Sequence, residues 1–113
     1  MMIFQAGLAL GMLALPIIAA SAQEGVTLTM GRLIYSAGYL EQTFSVKNDT
    51  TNRIRTVQVE CGFFYHNQLI AVDTAYIENI GPNITGFGRI LAASDIRAER
   101  AECRIVTVRE CLL

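Results

Sequence analysis

A chain of 113 residues has room for one domain and one core. With 9 Lys and Arg against 10 Asp and Glu its formal charge is −1, and Lys47 with scattered Arg residues makes no basic stripe. That balance argues against a nucleic-acid binder, which needs cationic side chains gathered on one face.

No charged side chain precedes Glu24, and Ala6 to Ala20 (AGLALGMLALPIIAA) is an apolar stretch of signal-peptide length. Ala20-Ser21-Ala22 follows it as a small-x-small cleavage pattern. Residues 1–22 are therefore expected to form a helical signal peptide, removed after Ala22, which leaves 23–113 as a single exported domain. The n-region, MMIFQ, offers only its α-amine as a positive charge. Gly7, Gly11 and Pro16 interrupt a span that is marginal against the roughly 20 apolar residues of a transmembrane helix, so a membrane is expected only if the leader stays uncut. The expected location is periplasmic or secreted.

Beyond Gln23 the pattern turns to alternation, punctuated by turn residues, which predicts an all-β protein: an immunoglobulin-like antiparallel β-sandwich of six or seven strands. Val26 to Tyr35 is the first strand, with a bulge at Gly31, and Ser36-Ala37-Gly38 turns the chain. Tyr39 to Lys47 follows, with Leu40, Phe44 and Val46 on one parity and Glu41, Thr43, Ser45 and Lys47 on the other. Asn48 to Asn52 is a turn, because short polar side chains bond to nearby backbone. Ile54 to Tyr65 is the strongest strand, presenting Val57, Val59, Cys61, Phe63 and Tyr65 to the core. His66-Asn67-Gln68 makes a hairpin into Leu69 to Tyr76, and Ile80-Gly81-Pro82-Asn83 breaks the chain again. Ile84 to Leu91, weakened by Gly86 and Gly88, reads as an edge strand. Ala92 to Arg100 fits either a loop or one or two helical turns. The last strand, Glu102 to Arg109, places Cys103 and Ile105 on one face and Val106 and Val108 on the other.

The run from Phe44 to Ile84 resembles the FxLYD-type immunoglobulin-like domains of exported bacterial proteins. The likeness lies in a strand ending Val46-Lys47-Asn48, an alternating V-x-V-E-C-x-F-F strand from Val57 to Phe64, and the Ile77 to Asn83 turn. Such domains usually carry Asp-Gly at the hairpin and Pro-Gly at the later turn, where this chain has His66-Asn67-Gln68 and Gly81-Pro82-Asn83. The resemblance implies a seven-stranded sandwich and carries no catalytic residue with it.

Three cysteines, Cys61, Cys103 and Cys111, follow the leader, and outside the reducing cytosol two of them are expected to pair. Cys61 with Cys103 is favoured, because both fall on the core face of well-formed strands and sandwiches commonly staple strands through the interior. Cys111 is then a free thiol in a frayed tail, able to bond another molecule if exposed.

No catalytic constellation stands out. His66 is the only histidine, placed in a turn, and no Ser or Cys sits in a nucleophile-elbow pattern. Zinc would need His66 to converge with cysteines, yet Cys61 points inward and oxidation would consume its thiolate. Glu60, Asp73 and Glu78 lie on different strands or faces, and Arg97 to Arg104 mixes signs as a solvated face does. Asn48-Asp49-Thr50 and Asn83-Ile84-Thr85 fit the glycosylation pattern but read as turns in a bacterial protein. No metal or cofactor is expected. The leading expectation is a non-catalytic binding or accessory module that meets a protein partner through a surface or sheet edge. A structural or envelope-stress protein without specific ligand is the alternative, and a thiol-dependent or metal-binding protein the third.

Overall fold

The computed structural model describes residues 20–23 and 25–111; most of the expected leader, residues 1–19, lies outside them, as do Leu112 and Leu113. Seven strands make up the described chain: β1 (Ala20–Gln23), β2 (Val26–Ser36), β3 (Tyr39–Asn48), β4 (Ile54–Tyr65), β5 (Gln68–Ile80), β6 (Thr85–Ala93) and β7 (Arg100–Glu110). They form two antiparallel sheets, one ordered β1-β2-β3-β6 and the other β5-β4-β7. Four strands face three as in a β-sandwich, with β1, which lies mostly in the expected leader, as the fourth strand. The chain changes sheet after β3, β5 and β6, and stays within a sheet at the β1-β2, β2-β3 and β4-β5 turns.

Alternation builds the core. Leu40, Phe44 and Val46 of β3, and Val57, Val59, Cys61 and Phe63 of β4, are buried between the sheets, together with Val26, Leu28, Ile54 and Ile90. Each large apolar side chain so enclosed contributes on the order of 1.5–3 kcal/mol. Tyr65, on the same parity as Phe63, is 37% exposed because β4 ends there at the hairpin. His66 and Asn67 form that hairpin at φ values of 50° and 61°, the left-handed conformation that a two-residue turn between twisted strands demands.

Bulges account for the departures from simple parity. In β2 the register against β3 shifts between Met30 and Leu33, so Gly31 and Arg32 together face Thr43. The Arg32 N–H donates to the Thr43 hydroxyl at 2.8 Å, and a Cβ on Gly31 would collide with that same hydroxyl. Glycine is required there by close approach, as the predicted bulge implies. A second shift, between Gln58 and Val59 against β7, was not visible in the sequence: Val59 faces Ile105 and Val57 faces Val108. Val108 therefore packs on the core side with Ile105 and Cys103, and the expected placement of Val108 on the opposite face is corrected by the extra residue at Val106.

The segment that fitted a loop or a helical turn is a loop, 94–99, pinned at both ends. The Glu99 N–H donates to the Phe64 carbonyl at 2.8 Å, the His66 N–H donates to the Glu99 carboxylate at 2.8 Å, and Ala98 is buried.

One polar side chain joins the two sheets. Asn48, fully buried at the end of β3, donates through Nδ2 to the carbonyls of Asn52 (2.8 Å) and Ile80 (3.0 Å). Its Oδ1 accepts from the Thr50 N–H at 2.9 Å and lies 2.7 Å from the Thr50 hydroxyl. Its own N–H donates to the Ile84 carbonyl and its own carbonyl accepts from the Asn83 N–H, at 3.0 and 2.8 Å. Replacing Asn48 by Ala strands these partners, the enclosed Ile80 carbonyl above all. We expect Asn48→Ala to lower unfolding stability by about 2–4 kcal/mol in a denaturant titration. Asn52→Ala, which removes only an exposed contact to Glu110, should change it by less than about 0.5 kcal/mol.

Candidate functional site

The sequence-derived site residues separate into one bonded pair and two isolated groups. Cys61 and Cys103 form a disulfide, as expected, with Cα atoms 4.0 Å apart. They stand directly opposite each other on neighbouring strands of the three-stranded sheet. The bridge thus locks β4 to β7 within one sheet and does not cross the interior from sheet to sheet. Cys61 is fully buried and Cys103 half-buried on the edge strand β7. Such a bond fits an oxidising environment. Cys111 is the free cysteine, half-buried; its N–H donates to the Arg53 carbonyl at 3.0 Å, which extends the β4-β7 ladder where a frayed tail was expected.

His66 stacks on Tyr65 with ring centroids 4.0 Å apart, and its Nε2 lies 3.8 Å from the Glu99 carboxylate in open solvent. No cluster of three or more His, Cys, Asp or Glu side chains able to hold a metal occurs among the described residues. Glu60 points away from the core and accepts from Arg104 at 2.9 Å; Asp73 lies opposite Cys61, on the other parity.

An apolar groove that the sequence did not reveal lies on the outer face of the four-stranded sheet. Thr29, Ser45 and Phe87 stand in one cross-strand row, with Thr43 and Arg89 in the next. Because Thr29 and Ser45 are short and the β2 bulge draws Gly31 toward Thr43, a groove of about 560 Å³ opens across the strands, walled by Phe87 and Arg89. The Phe87 ring is 80% exposed, and Leu91 and Tyr39 are exposed on the same face. Arg89 is held by a 3.3 Å contact to Glu41, which leaves its guanidinium at the rim of the groove.

This face continues to a sheet edge. Among the described residues β6 ends the four-stranded sheet, in accord with the edge expected at Ile84 to Leu91. The Asn48 N–H to Ile84 carbonyl bond fixes the phase of the β3-β6 ladder, so even-numbered residues of the two strands bond to each other. Phe87, Arg89 and Leu91 consequently direct their backbone N–H and C=O groups to the open edge and their side chains to the outer face. Gly86 and Gly88 lie on the inner side, where a Cβ would meet Ile77 at 2.8 Å and the Phe44 ring at 2.9 Å, respectively. They are glycines because side chains from β3 and β5 press against the β6 backbone. Apart from Arg89, β6 bears no charge and no proline.

No family model matches this chain, and no curated protein sequence matches it. Among solved structures it is similar to the crystal structure of a DUF1425 family member from Shewanella sp. pv-4, with a TM-score of 0.55 over 85% of this chain and 91% of that one. At 13% identity the likeness is one of fold. It places the described chain among all-β, two-sheet proteins.

Removing the bridge tests the energetic weight of the one covalent constraint, which closes a separation of 42 residues. We expect Cys61→Ala with Cys103→Ala to cost about 2–4 kcal/mol of unfolding stability. Cys111→Ala, measured in the same titration, should cost less than about 1 kcal/mol.

Proposed function

We propose that the protein is an exported, non-catalytic β-sandwich module that binds a protein partner by accepting one of its strands along β6. One observation carries the reading: the open β6 edge runs beneath an 80%-exposed phenylalanine. A partner strand laid on this edge bonds to the outward N–H and C=O groups of Phe87, Arg89 and Leu91, and its outward side chains lie against Phe87 and Leu91. Main-chain bonds then supply affinity, while Phe87, Leu91 and the Arg89 guanidinium supply choice of partner.

Export is supported by the apolar leader with its small-x-small end and by a disulfide that fits an oxidising compartment, periplasmic or secreted. The non-catalytic reading draws on the surroundings of His66. Its neighbours are Tyr65 and Glu99, and no Ser or Cys is bonded to it among the described residues.

Placing a photo-crosslinking amino acid at Phe87 in the native compartment, with Thr107 on the outer face of the other sheet as control, tests the proposal. A discrete protein adduct from position 87 and none from 107 is expected. Phe87→Ser should reduce recovery of that partner about tenfold or more while shifting unfolding stability by less than about 0.5 kcal/mol, because the ring is exposed. Absence of any adduct at 87, or equal adducts at both positions, refutes it.

A further inference from the structure

We infer that the strand accepted by β6 carries a basic side chain, Lys or Arg, on its inward face at the level of Ala92, where it pairs with Asp73 of the opposite sheet. The inference rests on the strand-acceptor reading of β6 and adds to it the chemistry of the partner.

Asp73 departs from the pattern of its own strand. It stands opposite Cys61 in the β4-β5 ladder, so it shares the core side of β5 with Ala71, Ala75 and Ile77, which pack on the hydrophobic core. It is nevertheless exposed. Its Oδ1 accepts from the Thr74 N–H at 2.8 Å, and the direction of that N–H shows where the carboxylate turns. The Glu99 N–H donates to the Phe64 carbonyl, which sets the phase of β4: Phe64, Gly62 and Glu60 bond toward β7, and Cys61 bonds toward β5. Thr74, opposite Glu60, therefore directs its N–H to the open edge of β5, and the Asp73 carboxylate lies with it at the flank of the sandwich. The same bond occupies a donor of the β5 edge, which leaves β6 the freer edge for an incoming strand.

That flank is the one on which β6 ends its sheet. β5 and β6 lie against each other across the sandwich, since a Cβ on Gly86 or Gly88 would meet Ile77. The turn at 81–84 joins them, so they run in opposite directions. Four residues back along β5 from Ile77 stands Asp73, and four residues on along β6 from Gly86 and Gly88 stand Ile90 and Ala92. With equal rise per residue, the carboxylate is level with Ile90 to Ala92.

A strand that bonds to Phe87, Arg89 and Leu91 points its residues opposite Gly88 and Ala92 inward. The first lies beside Ile77 and is apolar; the second reaches the flank at Asp73. Asp73 makes no ion pair among the described residues, whereas Arg89, the charge on the outer face of β6, is already engaged by Glu41. A carboxylate covered by an incoming strand and left unpaired opposes binding, while a basic side chain there gives it a partner. Charge complementarity thus selects Lys or Arg at this position and rejects Asp and Glu.

The test uses the purified protein with a photo-crosslinking amino acid at Phe87 and two short synthetic peptides of alternating Thr and Val. The peptides differ only at one Val-side position, which is Lys in one and Glu in the other. The Lys peptide is expected to reach half-maximal adduct at a concentration about tenfold below that of the Glu peptide. Asp73→Lys should reverse that order with an unchanged circular dichroism spectrum. Equal adducts from both peptides, or an order that Asp73→Lys leaves as it was, overturn the role of Asp73 and leave β6 standing as the acceptor. No adduct from either peptide overturns both.

Discussion

The two sheets are tied together at one end by a single buried amide. Asn48 closes β3, receives the β3-β4 turn through Thr50 and Asn52, reaches the last carbonyl of β5 at Ile80, and bonds through its backbone to the residues that start β6. A buried amide without partners would oppose folding, whereas one with every donor and acceptor engaged admits few alternative arrangements. The phase of the β3-β6 ladder follows from its N–H, and with that phase the choice of which β6 backbone groups face outward. The features we assign to binding are in this sense set from Asn48.

The disulfide serves a different purpose from the one that sandwich proteins suggest by analogy. Joining neighbours in one sheet, it secures β7, an edge strand, to the central β4 and leaves cohesion between the sheets to side-chain packing and to Asn48. Phe44, Phe63 and Ile77 fill the space between the layers, and the glycines of β6 let Phe44 and Ile77 approach its backbone closely. From Gly86 to Gly88 the same glycines leave β6 with a large side chain only on its outer face, and Ile90 resumes the inner packing. Phe87 is therefore displayed above a bare inner stretch, whereas Leu91 stands beside the buried Ile90.

The two flanks of the four-stranded sheet differ in kind. β6 is open in the described chain and carries large exposed side chains, which suits recognition of a different molecule. β2 is covered by β1 from Val26 to Thr29.

The fold class, the limits of β4 and the Gly31 bulge were legible in the sequence, because period-two alternation and turn residues are local signals that burial of one face imposes directly. The pairing of Cys61 with Cys103 was legible too, since both fall on apolar parity. Tertiary structure alone decided that the bridge lies within a sheet, that Val106 shifts the parity of β7, and that Ala20–Gln23 forms a strand where only a cleavage pattern was visible. Those outcomes depend on which strands become neighbours, and one strand's sequence holds no record of its neighbour. The groove under Phe87 escaped for the same reason: Thr29, Ser45 and Phe87 are unremarkable apart, and only the register across three strands sets them in a row.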